Sequence, residues 1–180
     1  MGDLLGLHND AVLSDCGRYR YLLRREWGGA PPLGWIMLNP STADADQDDP
    51  TIRRCIGFAH RNGYGGIRVV NLFALRATDP SELLAADNPI GDLYDPWLLL
   101  RICTDVVAAW GAVKPALSPR AREVVDMRPV QGRLLCLGTT KHGYPRHPLY
   151  LRADQPLVEY VAPPDAQTGA RQHHQEDRSG

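Results

Sequence analysis

The chain has 180 residues, 43% of them hydrophobic and 23% charged, with a formal net charge of −1. Those fractions describe an ordinary globular protein with room for one substantial core. A net charge near zero excludes bulk attraction to nucleic acid, so any such contact must come from a local patch.

Residues 18–27 are rich in Tyr, Leu and Arg and read as a strand or hairpin arm, which Gly28-Gly29-Ala30-Pro31-Pro32 breaks. Residues 33–38 are a short apolar run ending at Asn39-Pro40, the pattern of a buried strand followed by a turn. An acidic loop follows, with Asp44, Asp46, Asp48 and Asp49. Asp49-Pro50 then opens a helix whose Ile52, Cys55, Ile56 and Ala59 share one face, and Asn62-Gly63 closes it. Residues 67–73 form the second strand. Further helices start at Asp79-Pro80-Ser81-Glu82, Asp95-Pro96 and Ser118-Pro119, the last running to about Met127. Residues 106–110 and 134–137 supply the third and fourth strands.

Strands alternating with helices imply parallel pairing through crossover helices. The expected fold is a three-layer α/β/α sandwich around a four-stranded parallel core sheet, with an N-terminal strand or hairpin extending it. Residues 1–162 form one domain and residues 163–180 a polar, disordered tail. The opening Met1-Gly2-Asp3-Leu4 does not read as a signal peptide, and the apolar runs, such as residues 97–100, are far too short to span a bilayer. A cytoplasmic, monomeric protein is expected. Cys16, Cys55, Cys103 and Cys136 lack metal-binding spacing, and three of them read as reduced core residues.

Ligands of open parallel sheets bind beyond the carboxyl ends of the strands. Those ends carry Asn39-Pro40-Ser41-Thr42, Asn71-Leu72-Phe73, Trp110-Gly111, and Gly138 with the loop to His147-Pro148. Asn39 either orients a water or polar ring, or caps the turn before Pro40. Asn71 lies inside an apolar run, so its amide either satisfies neighbouring backbone or is held for a ligand. The acidic loop is either a cation site, a solvated loop ending in the Asp49 cap, or the source of one water-activating carboxylate, Asp44. Lys141, His142, Arg146, His147 and Arg152 lie in a stretch with no acid but with Tyr144 and Tyr150, which suits phosphate contacts or a solvated loop. Arg53, Arg54 and Arg76 add to that face. G-x-G-x-x-G, a Walker-type Gly-Lys-Ser/Thr and G-x-S-x-G are all absent from the sequence, so dinucleotide redox chemistry, nucleotide hydrolysis and the usual α/β serine hydrolase lose support.

Taken in order, Trp35-Ile36-Met37-Leu38-Asn39-Pro40, Val69-Val70-Asn71-Leu72-Phe73, Val106-Val107-Ala108-Ala109-Trp110-Gly111, and Leu134-Leu135-Cys136 followed by His147-Pro148-Leu149 resemble the four strand ends of the uracil-DNA glycosylase superfamily, above all its mismatch-specific branch. The motifs Leu-Asn-Pro-Ser-Thr-Ala-Asp and His-Pro-Leu-Tyr-Leu also resemble a bacterial and phage domain family of unassigned function. Ser41 stands where the superfamily has Gly, and Leu149 where it has Ser, which points to a larger or modified base rather than uracil.

The resemblance implies an enzyme, a monofunctional DNA glycosylase that flips a modified or damaged base out of the stack and hydrolyses its N-glycosidic bond. Its target includes modified phage DNA. Asn39 would hold the attacking water with Asp44 beside it, and His147 would donate to the departing base. Asn71 would read the base edge, Pro40 and Ser41 would line the base pocket, and Phe73 or Trp35 would stack on the ring. Lys141, Arg146, Arg152 and Arg53 would contact phosphates. The implied chemistry requires no metal or organic cofactor. The competing readings are a nucleoside or nucleotide N-glycoside hydrolase or transferase, and a non-catalytic nucleic-acid-binding module.

Overall fold

The structure, a computed structural model, describes residues 8–41, 43, 47–92, 94–129 and 132–163. Seven strands form one sheet: β1 (His8–Leu13), β2 (Arg20–Glu26), β3 (Leu33–Met37), β4 (Gly66–Asn71), β5 (Asp105–Ala108), β6 (Arg133–Cys136) and β7 (Val158–Glu159), in the order β1-β2-β4-β3-β5-β6-β7. The strands β4, β3, β5 and β6 run parallel to their neighbours, with Met37 opposite Asn71 and Ile36 opposite Ala108. Flanking strands pair antiparallel: β2 with β4, β1 with β2, and β7 with β6. The expected parallel core with its N-terminal strand or hairpin is thereby part of one mixed sheet of seven strands, which β1, β2 and β7 extend antiparallel. The reason is physical. A bare edge of the parallel strands would leave a row of unpaired peptide groups, and β2 and β7 cover both.

All five residues of β3 are buried, as expected for a strand covered on both faces. Alternation sends Trp35, Met37, Val69, Val107 and Leu135 to one face and Ile36, Val70, Val106, Leu134 and Cys136 to the other. The first set packs against Ile52, Cys55, Phe58 and Ala59 of α1 (Pro50–Arg61). The second packs against Leu83 of α2 (Ser81–Ala85), Trp97 of α3 (Pro96–Leu99), and Ala121 and Val124 of α4 (Ser118–Asp126). This is a three-layer α/β arrangement.

The helix starts follow the sequence signals. The Asp49 carboxylate accepts from the Ile52 N–H at 2.8 Å, with Pro50 in the first turn. Asp95 does the same for Trp97, with Pro96 following. Before α2 the Asp79 N–H donates to the Glu82 carboxylate and the Asp79 carboxylate accepts from the Ser81 N–H, while Pro80, at the cap position, makes no side-chain cap bond. Of the cysteines, Cys55 and Cys136 are buried, Cys103 is half-buried and Cys16 exposed, all as free thiols. Among the described residues no helix is long and apolar enough to cross a membrane. The tail expected to be disordered lies outside the described residues from 164 onward.

Candidate active site

The chain leaves β3 through α1 on one face to reach β4, and leaves β5 through α4 on the other to reach β6. The adjacent strands β3 and β5 therefore send their connections in opposite directions. Their carboxyl ends bound the crevice where open α/β sheets bind ligands.

Backbone bonds continue past the strands. Leu72 and Phe73 donate to Met37 and Leu38, and Ala109 donates to Ile36. Carried forward, the register sets Asn39 between Phe73 and Gly111. Gly111 has φ +75°, and a Cβ built there would lie 3.5 Å from the Cβ of His147. The long loop before His147 is folded back by the Thr139–Pro145 bridge and by the Arg146 N–H to Gly138 carbonyl bond. His147 thus reaches the end of β5 even though its loop leaves β6. With strands about 4.8 Å apart, Asn71, Asn39 and His147 span roughly two strand spacings, about 10 Å.

The side chain of Asn39 is held by its amide. Nδ2 donates to the Ala77 carbonyl at 2.7 Å and to the Pro40 carbonyl at 3.1 Å, while Ala77 N–H donates back to Pro40. Two carbonyls facing one end identify that end as the NH2 group. Among the described residues nothing donates to Oδ1, so the carbonyl end remains to accept from a water. Asn39 is therefore partly a structural clamp between the chains leaving β3 and β4, as the turn reading had it, and partly an open acceptor.

Asn71 is 1% exposed. The hydroxyl of Tyr94 accepts from its N–H and donates to its carbonyl, each at 2.8 Å, and so completes the β4 edge where β2 ends. Burial raises the Tyr94 pKa far above its usual value, so this phenol stays protonated. The side-chain Nδ2 of Asn71 has no partner. Its amide is not used by neighbouring backbone.

His147 is half-buried and caps the short 3-10 turn Pro148–Tyr150, its Nδ1 accepting from the Leu149 N–H at 3.3 Å. An accepting Nδ1 puts the proton of the neutral ring on Nε2. Burial pulls its pKa down, and the Asp49 carboxylate opposes that pull. Arg54 of α1 pins the turn from below by donating to the carbonyls of Pro148 and Leu151. On its far side Tyr150 is 85% exposed, its ring 6.3 Å from that of His147.

Other expected residues fall in different places. Trp35 is fully buried under α1, tilted against Phe58 at 6.2 Å, and is part of the core rather than of the crevice. Phe73 is buried in the opposite layer. Pro40 is buried and Ser41 exposed at the crevice mouth. Lys141 and Arg146 are exposed with no carboxylate in ion-pair range among the described residues, and Arg53 is exposed and donates to the Asp48 carbonyl. Arg152 is exposed but shares its charge with Asp154 at 3.0 Å. Asp44 and Asp46 lie outside the described residues.

The structure adds groups that the sequence reading did not place. Arg120 at the start of α4 donates from Nε to the Leu72 carbonyl at 3.0 Å and pairs with Glu123, leaving Nη2 buried and unpartnered. Arg20 is buried at the start of β2. Asp49, read as a helix cap, also lies close enough for its charge to act on both Arg20 and His147. The sequence carried no distinct signal for these arginines, since Arg20 is one of several in its strand and Arg120 sits in a polar helix start.

Residues 20–149 match the model of a family described as "Protein of unknown function (DUF1643)". No curated protein and no solved structure matches the chain.

Proposed function

For a chain that belongs to the DUF1643 family, we propose a monofunctional DNA glycosylase acting on a modified or damaged base, including the modified bases of phage DNA. The observation that carries this reading is the pairing at the β3/β5 crevice of an open acceptor, Asn39 Oδ1, with a neutral Nε2–H donor on His147. A glycosidic hydrolysis needs both. The target nucleotide leaves the stack to enter the crevice. As the bond between C1′ and the base nitrogen breaks, its electron pair departs with the base and C1′ gains oxocarbenium character. Asn39 Oδ1 orients the water whose oxygen forms the new bond to C1′, and the water's proton is lost to solvent. His147 Nε2–H donates to the developing charge on the base, where a fixed donor is most effective. The unpartnered amide of Asn71 reads the base edge. Tyr150, exposed beside His147, is placed to touch the neighbouring stack. Lys141, Arg146 and Arg53 contact phosphates, Arg152 more weakly because Asp154 already partners it.

The test is base release from DNA carrying a panel of modified bases, read as alkali-labile sites. Such sites should appear with the intact chain and disappear with Asn39→Ala. A panel that stays intact while free nucleosides are cleaved would transfer the crevice to nucleoside hydrolysis. Salt-dependent DNA binding without any cleavage would make it a recognition module.

A further inference from the structure

Beyond the sheet's carboxyl edge, the chains entering β2 and leaving β4 continue as a two-stranded ribbon. Arg20 N–H donates to Ala74, Arg76 N–H donates to Arg18, and Tyr19 bridges Leu75. In this antiparallel register Arg18 and Arg76 stand directly opposite each other, and Arg20 follows two residues along on the same face. Tyr19 and Leu75 take the other face and pack on the α4-side core. The ribbon therefore carries three arginines in a row, exposed at Arg18, half-buried at Arg76 and 2% exposed at Arg20.

Like charges directly opposite on a ribbon repel. Within the sheet, the other strand arginines and the outward arginine of α4 are answered by carboxylates. Arg25, five residues along from Arg20, pairs with Asp48 at 2.9 Å, and Arg24, Arg68, Arg122 and Arg133 each have an acid in contact. Among the described residues Arg18, Arg20 and Arg76 have none. The bonds these side chains make are to neutral carbonyls, Arg20 Nη1 to Ala43 at 2.5 Å and Arg76 Nη1 to Gly17 at 3.4 Å, and the Nε of Arg20 is buried without a partner. Asp49 is the carboxylate whose charge reaches Arg20, and it is already committed to capping α1. A cleft of about 570 Å³ opens beside the ribbon, lined by Arg18, Arg76 and the small residues Ala85 and Ala86 of α2. Glu82 also lines it, but one of its oxygens is turned to the Asp79 N–H at the helix start.

We propose that this ribbon is a phosphate-binding track leading from solvent into the crevice, with Arg18 and Arg76 gripping successive phosphates and Arg20 meeting the one nearest the site. Three guanidiniums with no carboxylate in ion-pair contact among the described residues, graded from exposed to buried, match a chain of anions that enters from one side. Naming a DNA backbone as the source rests on the glycosylase reading; the phosphate chemistry does not.

The experiment compares the intact chain with the double variant Arg18→Gln, Arg76→Gln, using a short fluorescein-labelled DNA duplex, a nucleoside monophosphate and inorganic pyrophosphate as probes. Binding of the duplex is measured against salt. Each lost phosphate contact lowers the slope of log affinity against log salt by about 0.9, so the double variant should lose about 1.8. Addition of duplex should also shift the Arg20 Nε–H resonance in the intact chain, a readout that needs no variant to fold. A paired-arginine control, Arg122→Gln with Arg133→Gln, should leave the slope unchanged. If the duplex binds and the Arg18/Arg76 variant keeps the full slope, the track is wrong and the glycosylase reading survives. If pyrophosphate or the monophosphate binds in an Arg18- and Arg76-dependent way but the duplex does not, the phosphate site stands with a free nucleotide as its source, and the DNA reading falls. If no probe binds, the proposal is overturned.

Discussion

The two ends of the parallel strands are built on opposite rules. At the amino end the charged residues carried by the strands themselves are paired. Asp105, at the start of β5, takes Arg133 in two bonds of 2.6 and 2.7 Å and the Tyr64 hydroxyl at 2.6 Å, and Arg68 meets Glu26 at 3.1 Å. At the carboxyl end the polar groups are left open. Of the six buried side-chain nitrogens without a partner among the described residues, four belong to Arg20, Asn71, Trp110 and Arg120, at the start of β2 and around the ends of β4 and β5. A buried donor left unpaired costs about 1–3 kcal/mol, so the carboxyl edge is the one where a bound partner would recover the most. The same layers, strands and helices support both edges. What separates them is which polar groups the connections deliver.

The sharpest way to break the contrast is Asn39→Ala. Under the glycosylase reading it lowers the rate of base release by about 100- to 1000-fold, the scale of losing one fixed polar group in a water-excluded site. Stability should fall by about 1–3 kcal/mol, for the hydrogen bonds that the amide donates to Ala77 and Pro40. A chevron or melting experiment beside the rate assay separates the two, and an equal loss in both would reduce Asn39 to a clamp. At the amino edge the expected pattern is inverted. Asp105→Ala strands Arg133 and Tyr64 and costs about 1–3 kcal/mol in denaturant unfolding, with base release at saturating protein unchanged. Hydrogen bonding by Arg133 depresses the Asp105 pKa below the ordinary carboxylate value. Its stabilisation is therefore complete above about pH 3.9, the unfolded value, and is lost as pH falls through the depressed folded one.

Much of this architecture was legible because local signals are strong where one residue type has one job. Asp49-Pro50 and the three- and four-residue spacing after it define α1, and the unbroken apolar run of β3 can only be a strand covered on both faces. The strand ends followed, and with them Asn39, Asn71 and His147. The N-terminal arm was legible as a strand, β2, but β1 and β7 were hidden because pairing is a property of two distant segments: nothing local in residues 158–159 says that they will lie against β6. Arg20 was hidden for the same reason. In sequence it is one of several strand arginines, and only the ribbon with residues 74–76 decides that it is buried while Arg18 is exposed. Trp35 was misplaced by the converse error. Alternation gives its face but not that α1 closes over that face.

A smaller effect of opposite sign is expected at Asn71. Replacing its unpartnered amide by an apolar side chain of similar length, Asn71→Leu, removes a buried donor with no bond to lose. Stability should be unchanged or higher, by up to about 1–3 kcal/mol, while discrimination among bases in the release assay is lost. Few substitutions of a buried polar residue at a paired site behave this way, so the result bears directly on the contrast between the edges. A clear loss of stability would mean that ordered water satisfies the amide in solution and that Asn71 belongs to the same class as Asp105.

The smallest expected effect is the pH dependence contributed by His147. Burial lowers its folded pKa below the unfolded value of about 6.5, against the pull of Asp49. Between those two values the unfolded chain binds a proton that the folded chain does not. The contribution to stability is therefore fully present above about pH 6.5 and declines as pH falls through that window. The neutral ring is also the form whose Nε2–H is free to donate while Nδ1 accepts from Leu149. Base release should then hold its value down through pH 6.5 and fall only below it. Subtracting the pH profile of His147→Gln from that of the intact chain isolates this residue in both melting temperature and rate. A rate that falls with a midpoint at or above 6.5 would mean an imidazole that is solvated or paired with Asp49 and protonated near neutrality. His147 would then carry a charge answered by a carboxylate, as at the amino edge, and the neutral-donor mechanism would fail with it.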